Sequence, residues 1–176
     1  MSTTLQQLNA LPEDAFVAAL CGIFEHSPWV AAAVAGQRPF ASIADLHRDM
    51  CAAVACSGSA RQSSLIAAHP ELGAAVTRKH QLTTESAGEQ AGAGLDRGDA
   101  PEVAELLALN AQYRARFGMP FVLAVRGYDL QGIIDNLRTR LSHSPQEEAD
   151  ECLRQIYRIA RFRLDDLIVE TYPGVR

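Results

Sequence analysis

The chain has 176 residues, 48% of them apolar and 21% charged, with a formal net charge of −5. That length and balance suit one globular domain over residues 1–176 with a substantial core. The acidic excess argues against a nucleic-acid partner, which needs a basic surface. No apolar run nears the roughly 18 residues of a membrane helix, and the start Met1-Ser2-Thr3-Thr4-Leu5 lacks an export pattern. A cytoplasmic protein with no membrane partner is expected.

Helical patterns begin at Pro12-Glu13-Asp14, a first turn with proline where its missing N–H costs nothing and acids near the positive helix end. Phe16, Leu20, Ile23 and Phe24 then recur at helical spacing. Ser42 and Asp45 read as a capping box opening a helix through Leu46, Met50 and Val54 to about Cys56, and Gly58 breaks the pattern. Arg61 to Ala68 reads as a short helix that delivers His69. Proline disfavours the α conformation in the residue ahead of it. His69, directly before Pro70, is therefore expected at a helix end or in a turn, its ring held at a fixed angle.

The segment from Thr77 to Ala100 is polar and dotted with glycines. A glycine costs about 1 kcal/mol relative to alanine inside a helix, a cost tolerated where something must approach the backbone closely. Within it, Ser86, Glu89 and Gln90 stand at i, i+3 and i+4 and share one face of a helix. Pro101 to Phe117 is a stronger helix, with Val103, Leu106, Leu107, Asn110 and Tyr113 along one side and Gly118 as its stop. Phe121-Val122-Leu123-Ala124-Val125 alone reads as a buried strand or extended segment. A helix from about Asp129 follows through Ile133, Ile134, Leu137 and Leu141, and Pro145 opens the last and longest, to about Glu170. The expected fold is all-α, a compact single-domain helical bundle with one short extended apolar segment.

An imidazole facing a hydroxyl, a carboxylate and an amide suits acid/base chemistry on a small polar molecule. On the last helix, Arg161 and Arg163 flank the apolar stripe at opposite margins, and periodicity leaves open which of them reaches inward. Arg154 and Arg158 fall on the wet side. Cys21, Cys51, Cys56 and Cys152 lack CxxC spacing and read as reduced thiols, mostly buried. His26, His47, His80 and His143 form no HxxxH or HxH pair, so no metal is expected. His26, His47 and His143 read as surface or capping residues, and Trp29 as a core or interface anchor. The run Gln146-Glu147-Glu148-Ala149-Asp150-Glu151 reads as a first turn complementing the helix dipole.

Taken together and in this order, His69-Pro70, Ser86-Ala87-Gly88-Glu89-Gln90, Asn110 to Gly118, Phe121 to Gly127 and Ile159 to Leu164 resemble the OHCU decarboxylase family over nearly the whole chain. That resemblance implies an all-α homodimer without cofactor or metal. Its substrate is the small molecule 2-oxo-4-hydroxy-4-carboxy-5-ureidoimidazoline (OHCU), an unstable intermediate of urate breakdown, and its product is (S)-allantoin. The resemblance makes His69 the catalytic histidine, followed by Pro70, with Ser86, Glu89 and Gln90 matching the family's serine, glutamate and glutamine. It selects Arg163, in an Arg-Leu pair, over Arg161. The backbone of Phe121, Val122, Leu123, Ala124 and Val125 then reads the substrate ring. Ala87 and Gly88 stand where bulkier or polar residues are common, which leaves open whether their peptide meets substrate by backbone alone.

In this scheme the ring delocalises the charge left by departing CO2, so no pyridoxal or thiamine is needed. His69 delivers the proton, with a prior role as base on the ring hydroxyl left open. Arg163 grips the carboxylate or, alternatively, a ring or ureido oxygen. Glu89 and Gln90 bind ureido and ring groups, Glu89 also orients His69, and Ser86 adds a hydrogen bond. Two rivals stand beside this reading: a non-catalytic helical interaction module, and a hydrolase acting on the preceding hydroxyisourate intermediate.

Overall fold

Short polar side chains open several of the described helices by taking up amides that a first turn leaves unpaired. Ser42 Oγ accepts from the Asp45 amide at 3.0 Å, and Asp129 Oδ1 accepts from the Gly132 amide at 2.8 Å. Thr4 and Gln7 form a reciprocal box, as do Ser144 and Glu147, at 3.3 and 2.8 Å. At Ser42 the second arm of the expected box goes elsewhere: the Asp45 carboxylate accepts from the Ser42 hydroxyl at 2.7 Å.

The computed structural model describes residues 3–72, 83–92 and 101–169. In chain order these form β1 (Thr3–Thr4), α1 (Leu5–Asn9), α2 (Glu13–Ala19), α3 (Pro28–Val34) with a 3-10 turn at Ala35–Gln37, α4 (Ile43–Ala55) and α5 (Ser59–Ala68). There follow α6 (Thr84–Gly92), α7 (Pro101–Phe117), α8 (Leu130–Arg140), α9 (Pro145–Leu167) and β2 (Ile168–Val169). The architecture is all-α. Its one small sheet among the described residues pairs β1 with β2 in parallel, Thr3 opposite Ile168. That pairing ends the last helix at Leu167, short of the expected Glu170. No helix among the described residues is long and apolar enough to cross a membrane.

Two compact units divide the chain, one drawn from Met1–Leu65 with Tyr157–Arg176, the other from Ile66–Ile156. In the first unit, α3 packs on α2 and α4, around Leu8, Phe16, Val30, Val34, Leu46, Met50 and Leu164, all fully buried. The helix expected through Phe24 stops at Ala19. Leu20, Ile23 and Phe24 are nevertheless buried, carried by successive turns in which Ile23 donates to Leu20 and Ser27 to Phe24. All four cysteines are free, but only Cys152 is buried and Cys51 half-buried. Cys21 lies in the turn after α2 and Cys56 at the C-cap of α4, positions that helix ends leave open to solvent.

In the second unit, α7 packs on α8. Leu72, Leu106, Tyr113, Phe121, Leu123, Val125, Ile133, Ile134 and Leu137 form one apolar cluster. Gly118 ends α7 with φ of 70°, a conformation that costs glycine little, and its amide donates to the Arg114 carbonyl at 2.8 Å.

Candidate active site

His69 lies one residue past α5, a helix that starts beside Gly58 at φ of 83°. Its amide donates to the Ile66 carbonyl at 3.1 Å, the tightened final turn expected ahead of a proline. The residue is only 6% exposed, so the imidazole is packed in the protein rather than solvated on a helix face. The chain beyond it is tethered. Asn110 Nδ2 on α7 donates to the Leu72 carbonyl at 2.7 Å, Arg114 Nε reaches Glu71 Oε1 at 3.4 Å, and the Leu72 side chain joins the apolar cluster. By its spacing Asn110 falls on the apolar face of α7 with Leu106 and Tyr113. Its function as the clamp on the His69 segment emerges only from the fold.

The second motif is helical, as its spacing requires. Thr83 caps α6, its Oγ1 accepting from the Ser86 amide at 3.3 Å and its carbonyl from the Ala87 amide at 2.9 Å. Ser86 is buried, Ala87 and Glu89 half-buried, and Gly88 exposed. A side chain at Gly88 would meet nothing within 4 Å, so packing does not demand glycine there. The side chain of Gln90, His80 and the remainder of the glycine-dotted stretch, residues 73–82 and 93–100, lie outside the described residues.

Phe121 to Val125 are all buried and join no sheet. Phe121, Leu123 and Val125 enter the cluster that also holds Leu72, so the His69 segment and the extended segment share one core. Their alternation in that core is the period-two habit of extended chain. Val122 and Ala124 turn instead toward polar side chains. Arg140 Nη1 donates to the Val122 carbonyl at 2.7 Å, and Gln155 Oε1 accepts from the Ala124 amide at 3.1 Å.

Arg140 leads to a buried polar cluster that sequence reading missed. Its Nε donates to Glu148 Oε1 at 2.9 Å, and Glu148 is fully buried. Glu148 also accepts from the Tyr113 hydroxyl and meets His143 Nδ1 at 2.7 Å. The run expected to complement the helix dipole does open α9, but Glu148 within it is turned inward, while Glu147 and Asp150 are exposed. A signal existed: Glu148 lies four residues before Cys152 and eight before Ile156, on the buried side of α9. Burial pushes the Tyr113 hydroxyl and the Cys152 thiol upward, so both stay neutral. Burial pulls the Arg140 guanidinium down, but its hydrogen bond to Glu148 and nearby groups outweigh that and leave it raised.

In the first unit the choice between the two arginines is decided. Arg163 is 6% exposed, and its Nη1 donates to Glu25 Oε2 at 2.7 Å and to the Gly22 carbonyl at 2.9 Å. Arg161 pairs with Asp165 one turn on, both about as exposed as ordinary surface residues. Arg154 and Arg158 are exposed, as expected. Glu25 is buried beside Phe24 and carries no periodic signal that could have announced it. Trp29 is half-buried, with the Arg61 guanidinium 5.3 Å from its ring centre.

The second unit is a helical scaffold that seats the His69 imidazole out of solvent and also carries a capped helix with a buried hydroxyl at Ser86, groups of the kind used in proton transfer. Residues 9–165 match the family model described as OHCU decarboxylase, and the chain belongs to that family. It is 42% identical over 167 residues to a uric acid degradation bifunctional protein of Bacillus subtilis, covering 95% of this chain and 33% of that one. With the 2-oxo-4-hydroxy-4-carboxy-5-ureidoimidazoline decarboxylase of Haloferax volcanii it shares 39% identity over 161 residues, covering 92% and 94%. Among solved structures, a crystal structure of (S)-allantoin synthase aligns with a TM-score of 0.75 at 29% identity, covering 94% of this chain and 54% of that one.

Proposed function

We propose that this chain is a carboxy-lyase that converts OHCU to (S)-allantoin and CO2 in urate breakdown. The observation that carries the reading is the family match over residues 9–165, within which the histidine that precedes a proline is buried. Relatives that are decarboxylases of this substrate along nearly their full length support it, and a structural neighbour that makes (S)-allantoin supports the handedness of the product.

In the proposed reaction the bond to the carboxylate breaks and CO2 leaves. Its electron pair moves into the neighbouring ring C=N unit, so the substrate itself supplies the electron sink and the reaction needs neither cofactor nor metal. The ring nitrogen that receives the pair takes up one proton, His69 gives another to one face of the ureido-bearing ring carbon, and the ring hydroxyl loses its own and becomes a carbonyl. The net uptake is one proton. Exclusion of water around a 6% exposed His69 favours delivery from one side. Ser86, Glu89 and Gln90, with the Pro70 and Ala87-Gly88 backbone, are the proposed contacts to ureido and ring groups. Arg163, the arginine that turns inward, is the proposed holder of the carboxylate. The chain is proposed to act as one functional domain, since the family match runs through both units, and as a cytoplasmic homodimer.

Freshly generated OHCU tests the reading. Wild-type protein is expected to speed loss of its ultraviolet absorbance and to yield optically active allantoin. A folded His69→Ala protein is expected to lose the stereospecific product. Near-normal stereospecific turnover by that variant would remove His69 from the chemistry.

A further inference from the structure

Resting on the decarboxylase reading, we infer that Arg140 and Gln155 are positioning residues: they occupy one hydrogen-bonding edge of the segment Phe121 to Val125, so that Leu123 presents its peptide groups to the substrate ring from the other edge. In extended chain the N–H and C=O of one residue point to the same edge, and those of its neighbours to the opposite one. Three groups on the first edge are engaged. The Val122 carbonyl accepts from Arg140, the Ala124 amide donates to Gln155, and the Val122 backbone hydrogen-bonds the Cys152 thiol. Phe121, Leu123 and Val125 must therefore turn their peptide groups the other way. The Val125 carbonyl meets the Tyr128 amide at 2.9 Å in the following turn, which makes Leu123 the central reader.

Both pins are themselves held. Arg140 is fixed by the fully buried Glu148, and Gln155 Nε2 donates to Glu151 Oε1 at 2.5 Å, one turn earlier on α9. A slip of one residue would exchange the two edges and send Leu123 toward α9. This gives the buried ion pair a task other than stability, to which such pairs contribute little on balance.

Gln155→Leu removes the acceptor for the Ala124 amide, the exchanged pair Glu151→Gln/Gln155→Glu keeps that acceptor with a donor one turn earlier to hold it, and Arg140→Lys keeps a charge beside Glu148 while giving up the Val122 bond. Kinetics on fresh OHCU and hydrogen exchange at the Ala124 and Leu123 amides, with and without (S)-allantoin, are read on each. For Gln155→Leu a rise in KM of about tenfold is expected, the equivalent of one lost hydrogen bond, with kcat within about twofold. Ala124 should exchange faster, and (S)-allantoin should cease to protect Leu123. The exchanged pair Glu151→Gln/Gln155→Glu should restore all of these. Unchanged KM and Leu123 protection in Gln155→Leu, or no recovery in the exchanged pair, would overturn the assignment. If Gln155→Leu fails to fold, Arg140→Lys decides in the same way, a raised KM supporting and an unchanged KM refuting it. An inactive wild-type chain sinks the decarboxylase reading instead. Unpinning of Ala124 in the variants is still read by exchange alone.

Discussion

Arg163 and Glu25 bury opposite charges against each other, so neither can be removed alone without stranding its partner. Arg163→Ala is expected to lower stability by about 3–5 kcal/mol in urea unfolding. Arg161→Ala breaks an exposed i,i+4 pair, where about 0.3–0.5 kcal/mol is expected. Substrate capture should also suffer more at Arg163, and the double variant Arg163→Met/Glu25→Gln separates the two effects. A double variant that regains stability while KM stays high ties Arg163 to substrate, whereas full recovery of KM makes it structural. Gly88 offers a second test at this scale. With open space where a side chain would go, Gly88→Ala should stabilise α6 by about 1 kcal/mol. Loss of turnover by that stabilised protein would mean that substrate comes close to the backbone there, and retained turnover would mean that it does not.

At the scale of the element, the start of α9 sets Glu147, Glu148 and Asp150 in three different environments. Glu147 completes a box with Ser144, Asp150 is exposed, and Glu148 is enclosed by Arg140, Tyr113 and His143. A uniform dipole effect would make the three alike. The environments instead predict a loss of about 3–5 kcal/mol for Glu148→Ala, which strands buried Arg140. Glu147→Ala should cost about 1 kcal/mol through the cap, and Asp150→Ala less than about 0.5 kcal/mol. Thermal and urea unfolding of the three variants measures this order, and equal losses would refute it. The same comparison suits α4, where the Ser42 hydroxyl, more than Arg48, holds the Asp45 carboxyl below its usual value.

For the whole molecule, buried neutral acids set the response to alkali. Burial pushes the Cys51 thiol up to about 12, and raises the Tyr113 and Cys152 groups as well. In the unfolded chain such groups ionise near their ordinary values, about 8.5 for a thiol and 10 for a phenol. Folded-state pKa values above the unfolded ones mean that unfolding releases protons in the interval between them. Stability is therefore complete below the unfolded value and falls as pH rises toward the folded one. The urea midpoint should hold from neutral pH to about 8.5 and then decline, and Cys51→Val should remove part of the slope. A midpoint unchanged to about pH 10.5 would contradict the burial of these groups.

Much of the architecture was legible because it is local. Helix periodicity, the Gly118 stop and the Asp129 and Ser42 caps depend on neighbours within one turn, and the structure reproduces them, including both ends of α7. The placement of His69 at a helix end follows from the proline that comes next, and the shared face of Ser86 and Glu89 from their spacing on α6. Partner choice was not legible. Periodicity gives a direction from a helix axis, but not what stands there. Glu25, 138 positions from Arg163, decided which arginine turned inward. Arg140 and Gln155 decided which edge of Phe121 to Val125 is held, and Asn110 what holds the chain after His69. The sequence by itself determined where the helices run and which residue types carry the chemistry, because those rest on contacts within a few residues. Only the tertiary structure decided which buried charges and backbone edges meet, because a buried polar group must find a partner wherever packing brings one.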